Sequence, residues 1–100
     1  MYEVLAHDRP AAFNQDLAGS LYNLSCQYSD LDRHEDALKP AERSLALYRE
    51  LVKTRPLGFK KDVIDGLKRL SQCLTALGRK DEAKEARRER RELRAGVSSV

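Results

Sequence analysis

Apolar residues return along this chain at alternating steps of four and three. Leu17, Leu21, Leu24, Tyr28 and Leu31 advance in this way, and at about 100° per residue they stay within an arc of roughly 80° on a helix. The spacing predicts one buried stripe on a helix over about 14–30. Asn14 is a suitable N-cap for it, with Asp16 in the first turn, where the helix dipole favours an acid. Val63, Leu67, Leu70, Leu74 and Leu77 draw the same stripe again, and Gly78 is placed to end that helix in the left-handed conformation. Asp32 holds the matching place after the first helix and can adopt that conformation at some cost.

Between the two stripes, residues 35–54 are apolar at Ala37, Leu38, Ala41, Leu45, Tyr48, Leu51 and Val52. This face is broader. A helix wedged between its own partner and the next hairpin needs contacts on two sides, so the width suits a stacked array better than an isolated hairpin. Pro40 is the local misfit. It lacks a backbone donor and crowds the Asp36 carbonyl, so a kink or a late helix start is expected there.

The two stripes belong to an internal repeat. Sliding the sequence by 46 residues brings Arg9, Pro10, Phe13, Asp16, Leu21, Leu24, Ser25, Leu31, Arg33 and Ala37 over identical residues from Arg55 to Ala83. The same offset lays MYEVLAHDRP over LYRELVKTRP. The reading is therefore residues 1–9 as the tail of a preceding repeat helix and 10–55 as a first repeat with helices at about 14–30 and 35–54. Residues 56–95 form a second repeat, and 96–100 a disordered tail.

Leu24, Ser25 and Tyr28 followed by Ala37, and Leu70, Ser71, Leu74, Gly78 and Ala83 in the second repeat, resemble the tetratricopeptide repeat. Its usual period is about 34 residues, and it sets a Leu, a small residue and a Tyr in its first helix and a small Ala in its second. The longer period and the RP-x-x-F phrase are similar to the kinesin-light-chain-like repeats of large fungal and actinobacterial proteins. The resemblance implies an all-α fold, a tetratricopeptide-like α-α superhelix of stacked antiparallel helix hairpins. Three features depart from the pattern: Asp32 stands for the turn Gly, Pro40 interrupts a helix, and the last helix has lost most of its apolar face. Where the first repeat has Leu38, Ala41, Leu45 and Tyr48, the second has Lys84, Arg87, Arg91 and Arg94. A helix that no further repeat covers must be wettable, so this one reads as a charged C-terminal cap.

That cap accounts for the charge. Of the 100 residues, 35% are charged and 41% apolar, and the net charge is +3. Residues 79–94 carry eight basic and five acidic side chains, and the first 78 carry eleven of each. With aromatics at 6% and no Trp, the chain lacks the broad basic face with stacking rings that nucleic-acid binding calls for. The Arg cluster at 87–91 reads as a solvated face, and an Arg-rich helix binding nucleic acid is the least favoured reading. Cys26 and Cys73 sit one residue off the repeat and have no CxxC or Cys/His spacing, which points to free thiols in a reducing compartment. The longest uncharged stretch, Leu17 to Ser29, is too short and polar to span a bilayer. A cytoplasmic location, no membrane partner, no cofactor and no metal are expected. No nucleophile–base set or phosphate loop appears, so no enzyme activity is expected; His7 and His34 are isolated, and His34 reads as packing.

In the tetratricopeptide family, the first helices of successive repeats line a concave groove that holds a peptide. Carried over by position, the resemblance assigns a partner-binding groove to Tyr22, Asn23 and Cys26 of the first repeat and Asp65, Lys68, Arg69 and Gln72 of the second. An Asn amide offers a peptide backbone both a donor and an acceptor. Lys68 and Arg69 suit an acidic side chain or a C-terminal carboxylate. The alternative is that these are solvated positions on amphipathic helices. The expected function is a protein-interaction module, the C-terminal part of a repeat array, with a protein or peptide partner, possibly acidic. The competing expectation is a self-assembling fragment, a homo-oligomer formed through uncovered repeat faces or exchanged helices.

Overall fold

The computed structural model describes residues 10–96, so the readings made for 1–9 and 97–100 fall outside it. The described residues form four helices and no strand: α1 (Pro10–Asp30), α2 (His34–Thr54), α3 (Pro56–Ala76) and α4 (Lys80–Ala95). Each packs on its neighbour in sequence, and α1 also touches α3. The fold is an all-α stack of helix hairpins.

The turns show the 46-residue echo in three dimensions. Asp32 and Gly78 both take the left-handed conformation, with φ of 58° and 78°. Behind them Arg33 N donates to the Tyr28 carbonyl and Arg79 N to the Leu74 carbonyl, both at 2.9 Å. These are the bonds that satisfy the end carbonyls of a helix. Arg33 then pairs with Asp36 and Arg79 with Glu82, one turn into the next helix.

Buried hydroxyls clamp the first hairpin. Ser25 Oγ donates to the Ala37 carbonyl at 2.9 Å, and Ser44 Oγ to the Ala18 carbonyl at 2.8 Å. One partner moves seven residues along α1 while the other moves seven back along α2, so the helices are antiparallel. Ala18, Ala37 and Ala41 let the backbones come close enough for these bonds. The main core lies beyond them, where Leu45, Tyr48, Leu51 and Val52 of α2 meet Phe59, Val63 and Leu67 of α3 and Ala86 and Leu93 of α4.

Three sequence expectations need correction. The first helix starts at or before Pro10 rather than near 14, which puts Asn14 a full turn inside it and rules it out as the N-cap. Pro56 opens α3 behind Arg55, where a proline in the first turn loses only an N–H that has no partner. Pro40 does not delay α2, which runs unbroken from His34. Its missing donor costs only the bond to Asp36, in the first turn, and its ring is buried.

The third correction concerns the first stripe. Leu24 is 38% exposed and Leu31 66%, although both were expected to be core. Their counterparts Leu70 and Leu77 are more covered, and Leu70 packs against the core. The same inequality holds for Leu17 against Val63 and Phe13 against Phe59. The physical reason is that α3 lies between α2 and α4, whereas among the described residues no helix stands to α1 as α2 stands to α3.

Candidate functional site

Every residue of the expected groove lies on α1 or α3, and their order around each helix determines which of them meet. At about 100° per residue, Tyr22 and Cys26 fall on one edge of α1 and Asn23 on the other. By the 46-residue offset, Lys68 and Gln72 match Tyr22 and Cys26, and Arg69 matches Asn23. The forward edge of α1 therefore faces the rear edge of α3.

Four of the seven residues come together at this seam. Burial pushes the Tyr22 phenol above its ordinary range; the neighbouring Cys26 and Asp65 add to the effect, and the Arg69 guanidinium beside it opposes it. Arg69 keeps a shielded Nε with no hydrogen-bond partner among the described residues. Below them Ser29 Oγ lies 3.8 Å from the buried Cys73 Sγ. Tyr48 of α2 closes the floor of the seam. Its phenol is raised chiefly by burial and then by Asp62, Tyr22 and Asp65. Asp62 is itself raised, first by burial and then by Asp65, with Lys61 opposing. The seam is thus a half-buried polar cluster of two phenols, two carboxylates and one guanidinium.

The other three residues are not part of it. Asn23 is exposed on the rear edge of α1. Lys68 and Gln72 point away from α1 into a groove between α3 and α4, which they line with Ser71, Thr75, Arg87 and Arg90. Reading the sequence by family position did not single out Arg87 and Arg90 as groove residues. Their spacing of one helical turn, at places where the first repeat has Ala41 and Ser44, was the available signal.

The hairpins are also joined across the stack. Arg49 of α2 and Glu89 of α4 form a two-pronged ion pair, with Nη2 2.9 Å from Oε1. The hydrogen bond to Arg49 holds the Glu89 carboxyl below its ordinary range against the opposing effect of burial. Among the described residues there is no cluster of three or more His, Cys, Asp or Glu able to hold a metal ion, and no helix is long and apolar enough to cross a membrane. No family model matches the chain, and neither a curated protein nor a solved structure matches it.

Proposed function

We propose that this chain is a protein-interaction module, the C-terminal part of a tetratricopeptide-repeat array that holds a peptide or neighbouring domain against α1 and α3. The observation that supports this most is the direct contact of α1 with α3, two helices separated in sequence by α2. It makes one polar wall of Tyr22, Cys26, Asp65 and Arg69, with Asn23 at one margin and Lys68 and Gln72 at the other. Such a wall offers donors, acceptors and both signs of charge on rigid helices, which suits an extended peptide better than it suits bond-breaking chemistry. The test is to select peptides by phage display on the full chain and map the best by amide chemical shifts. Shifts should cluster on α1 and α3, and Asn23→Ala with Arg69→Ala should weaken binding by about tenfold. Peptides that map to α2 or α4, or a selection that returns none, would count against the reading.

Self-assembly is the second reading, and the exposure of Leu24 and Leu31 favours it. Apolar surface of this kind invites a second copy. Light scattering after size exclusion separates the two readings: a monomer at all concentrations excludes assembly, whereas a dimer that forms with concentration and is lost in Leu24→Glu supports it.

A further inference from the structure

The groove between α3 and α4 encloses about 450 Å³, and the repeat shows what shape of occupant it fits. Moving its lining residues back by 46 gives Tyr22, Ser25, Cys26, Ser29, Asp30, Ala41 and Ser44. That groove, between α1 and α2, is filled by α3. Ser29 meets Cys73, Tyr22 lies beside Arg69, and Gly66 approaches so closely that a Cβ there would stand 3.2 Å from Leu45 Cδ1. A hairpin of this chain therefore leaves a channel one α-helix wide along its forward edge.

The second channel keeps the shape and changes the chemistry. Where the first has Tyr22, Ala41 and Ser44, the second has Lys68, Arg87 and Arg90. No acidic side chain is among its described lining residues. A helix like α3 laid there would bring Asp65 and Arg69 together to Lys68, one acid offset by a further cation, so the three channel cations would be covered without net compensation, at a cost that apolar packing does not return. A helix bearing carboxylates would neutralise them. Arg87 is already oriented by a hydrogen bond from its Nη1 to Thr75 Oγ1 at 3.1 Å, and the Arg90 Nε is shielded and lacks an acceptor among the described residues. The two guanidiniums stand one turn apart on α4, so carboxylates at i and i+3 or i+4 of an opposing helix match them, and each guanidinium fork suits a carboxylate. Gln72 and Thr75 add neutral hydrogen-bonding groups.

We propose that this terminal groove docks an acidic amphipathic α-helix of a partner protein. Nucleic acid fits it less well. No aromatic side chain is among the channel's described lining residues, so it lacks the stacking platform that a nucleic-acid strand uses. The site goes beyond the α1–α3 wall and does not depend on it. The two share only Lys68 and Gln72, so the test acts on Arg87 and Arg90, which the wall lacks.

The channel between α1 and α2 dictates the probe. A labelled peptide with the 21-residue α3 sequence, carrying Arg69→Glu and Cys73→Glu, sets acids where Tyr22 and Ser29 have Lys68 and Thr75 as counterparts. The unaltered α3 peptide is the control. Anisotropy with the full chain should show the acidic peptide binding at least about tenfold more tightly than the control and weakening as salt rises. Arg87→Glu with Arg90→Glu should lower that affinity by at least about tenfold. Lys39→Glu with Arg88→Glu, the same charge change outside the groove, should leave it within about twofold. Circular dichroism confirms that both variants keep their helices. Equal affinity for the two peptides, no binding of the acidic one, or equal loss in the two variants would overturn the proposal. So would a short oligonucleotide that binds more tightly than the acidic peptide and displaces it, which would assign the groove to nucleic acid. Loss of peptide binding in Arg69→Ala, with this groove unaffected, would bear on the α1–α3 wall alone.

Discussion

Leu67 and Leu24 lie on equivalent stripes, yet truncating them should have very different consequences. Leu67 is 1% exposed and lies within the core shared by α2, α3 and α4. Cutting it to Ala removes three carbons, worth about 0.8 kcal/mol each in transfer, or about 2.4 kcal/mol. The closed cavity left behind adds about 1 kcal/mol or more, depending on how far its walls relax. Leu67→Ala should therefore cost about 3–4 kcal/mol, a large fraction of the 5–10 kcal/mol typical of a domain this size. Leu24 is 38% exposed, so roughly three-fifths of the same transfer gain is available, about 1.5 kcal/mol, with no sealed cavity to add. Urea titrations followed by far-UV circular dichroism measure both, and with a slope of about 1–1.5 kcal/mol/M the Leu67 variant should unfold about 2–4 M earlier. A loss at Leu24 as large as that at Leu67 would refute the claim that α1 is covered on fewer sides than α3. If that loss also grew with protein concentration, a second chain would be the cover.

Gly19→Ala should raise stability by about 0.8 kcal/mol, because among the described residues the new Cβ meets only Tyr48 Oη, at an ordinary 3.7 Å. Gly66→Ala should gain less or lose, since its Cβ would stand 3.2 Å from the buried Leu45 Cδ1; thermal melts compare the two. Asp32→Gly should stabilise by about 0.5–1 kcal/mol by relieving a left-handed residue with φ of 58°. Two carboxylates should show opposite pH dependence. The Glu89 carboxyl is lowered from 4.5 by its bond to Arg49, so its contribution is present above pH 4.5 and fades as pH falls through the lowered value. Glu89→Gln should cost about 0.5–1 kcal/mol at neutral pH and nothing in strong acid. Asp62 is raised from 3.8 by burial and Asp65, so its contribution is fully present below pH 3.8 and is lost as pH rises through the raised value. Asp62→Asn should stabilise at neutral pH, with the gain vanishing in acid; denaturation midpoints at the two pH values decide both.

The hydrophobic period made the faces of the helices legible but not their neighbours. Leu24 and Leu70 stand at the same phase of the stripe, and among the described residues only the second has a helix on its far side. The turns were readable because Asp32 and Gly78 are residue types tolerant of a left-handed backbone and stand at the same phase of the repeat. The start of α3 is legible in its Arg-Pro pair, because a proline is tolerated in the first turn of a helix. Pro40 shows the converse: the rule against proline inside helices is weakest where the broken bond reaches back only to the first turn. At the candidate site, the tetratricopeptide resemblance picked out residues of α1 and α3 by position, but it did not divide them between a seam and a channel. That division depends on which edge of each helix meets another helix.

A single change in the repeat links the closure of the first hairpin to the openness of the second. Ser44 is small enough to sit between α1 and α2 and to bond the Ala18 carbonyl; its counterpart, Arg90, cannot do the same between α3 and α4. Ser71, the counterpart of Ser25, likewise turns back to the Lys68 carbonyl of its own helix instead of reaching α4. The second hairpin is held differently. Ala83, Ala86 and Leu93 are buried, and Arg49 reaches across from α2 to Glu89. These contacts secure α4, and Arg87 and Arg90 stand at the margin of the same face, turned toward the groove, with Arg90 half-buried and its Nε shielded. The residues that make a further α3-like helix unfavourable there are therefore the same ones that make the channel attractive to an acidic helix.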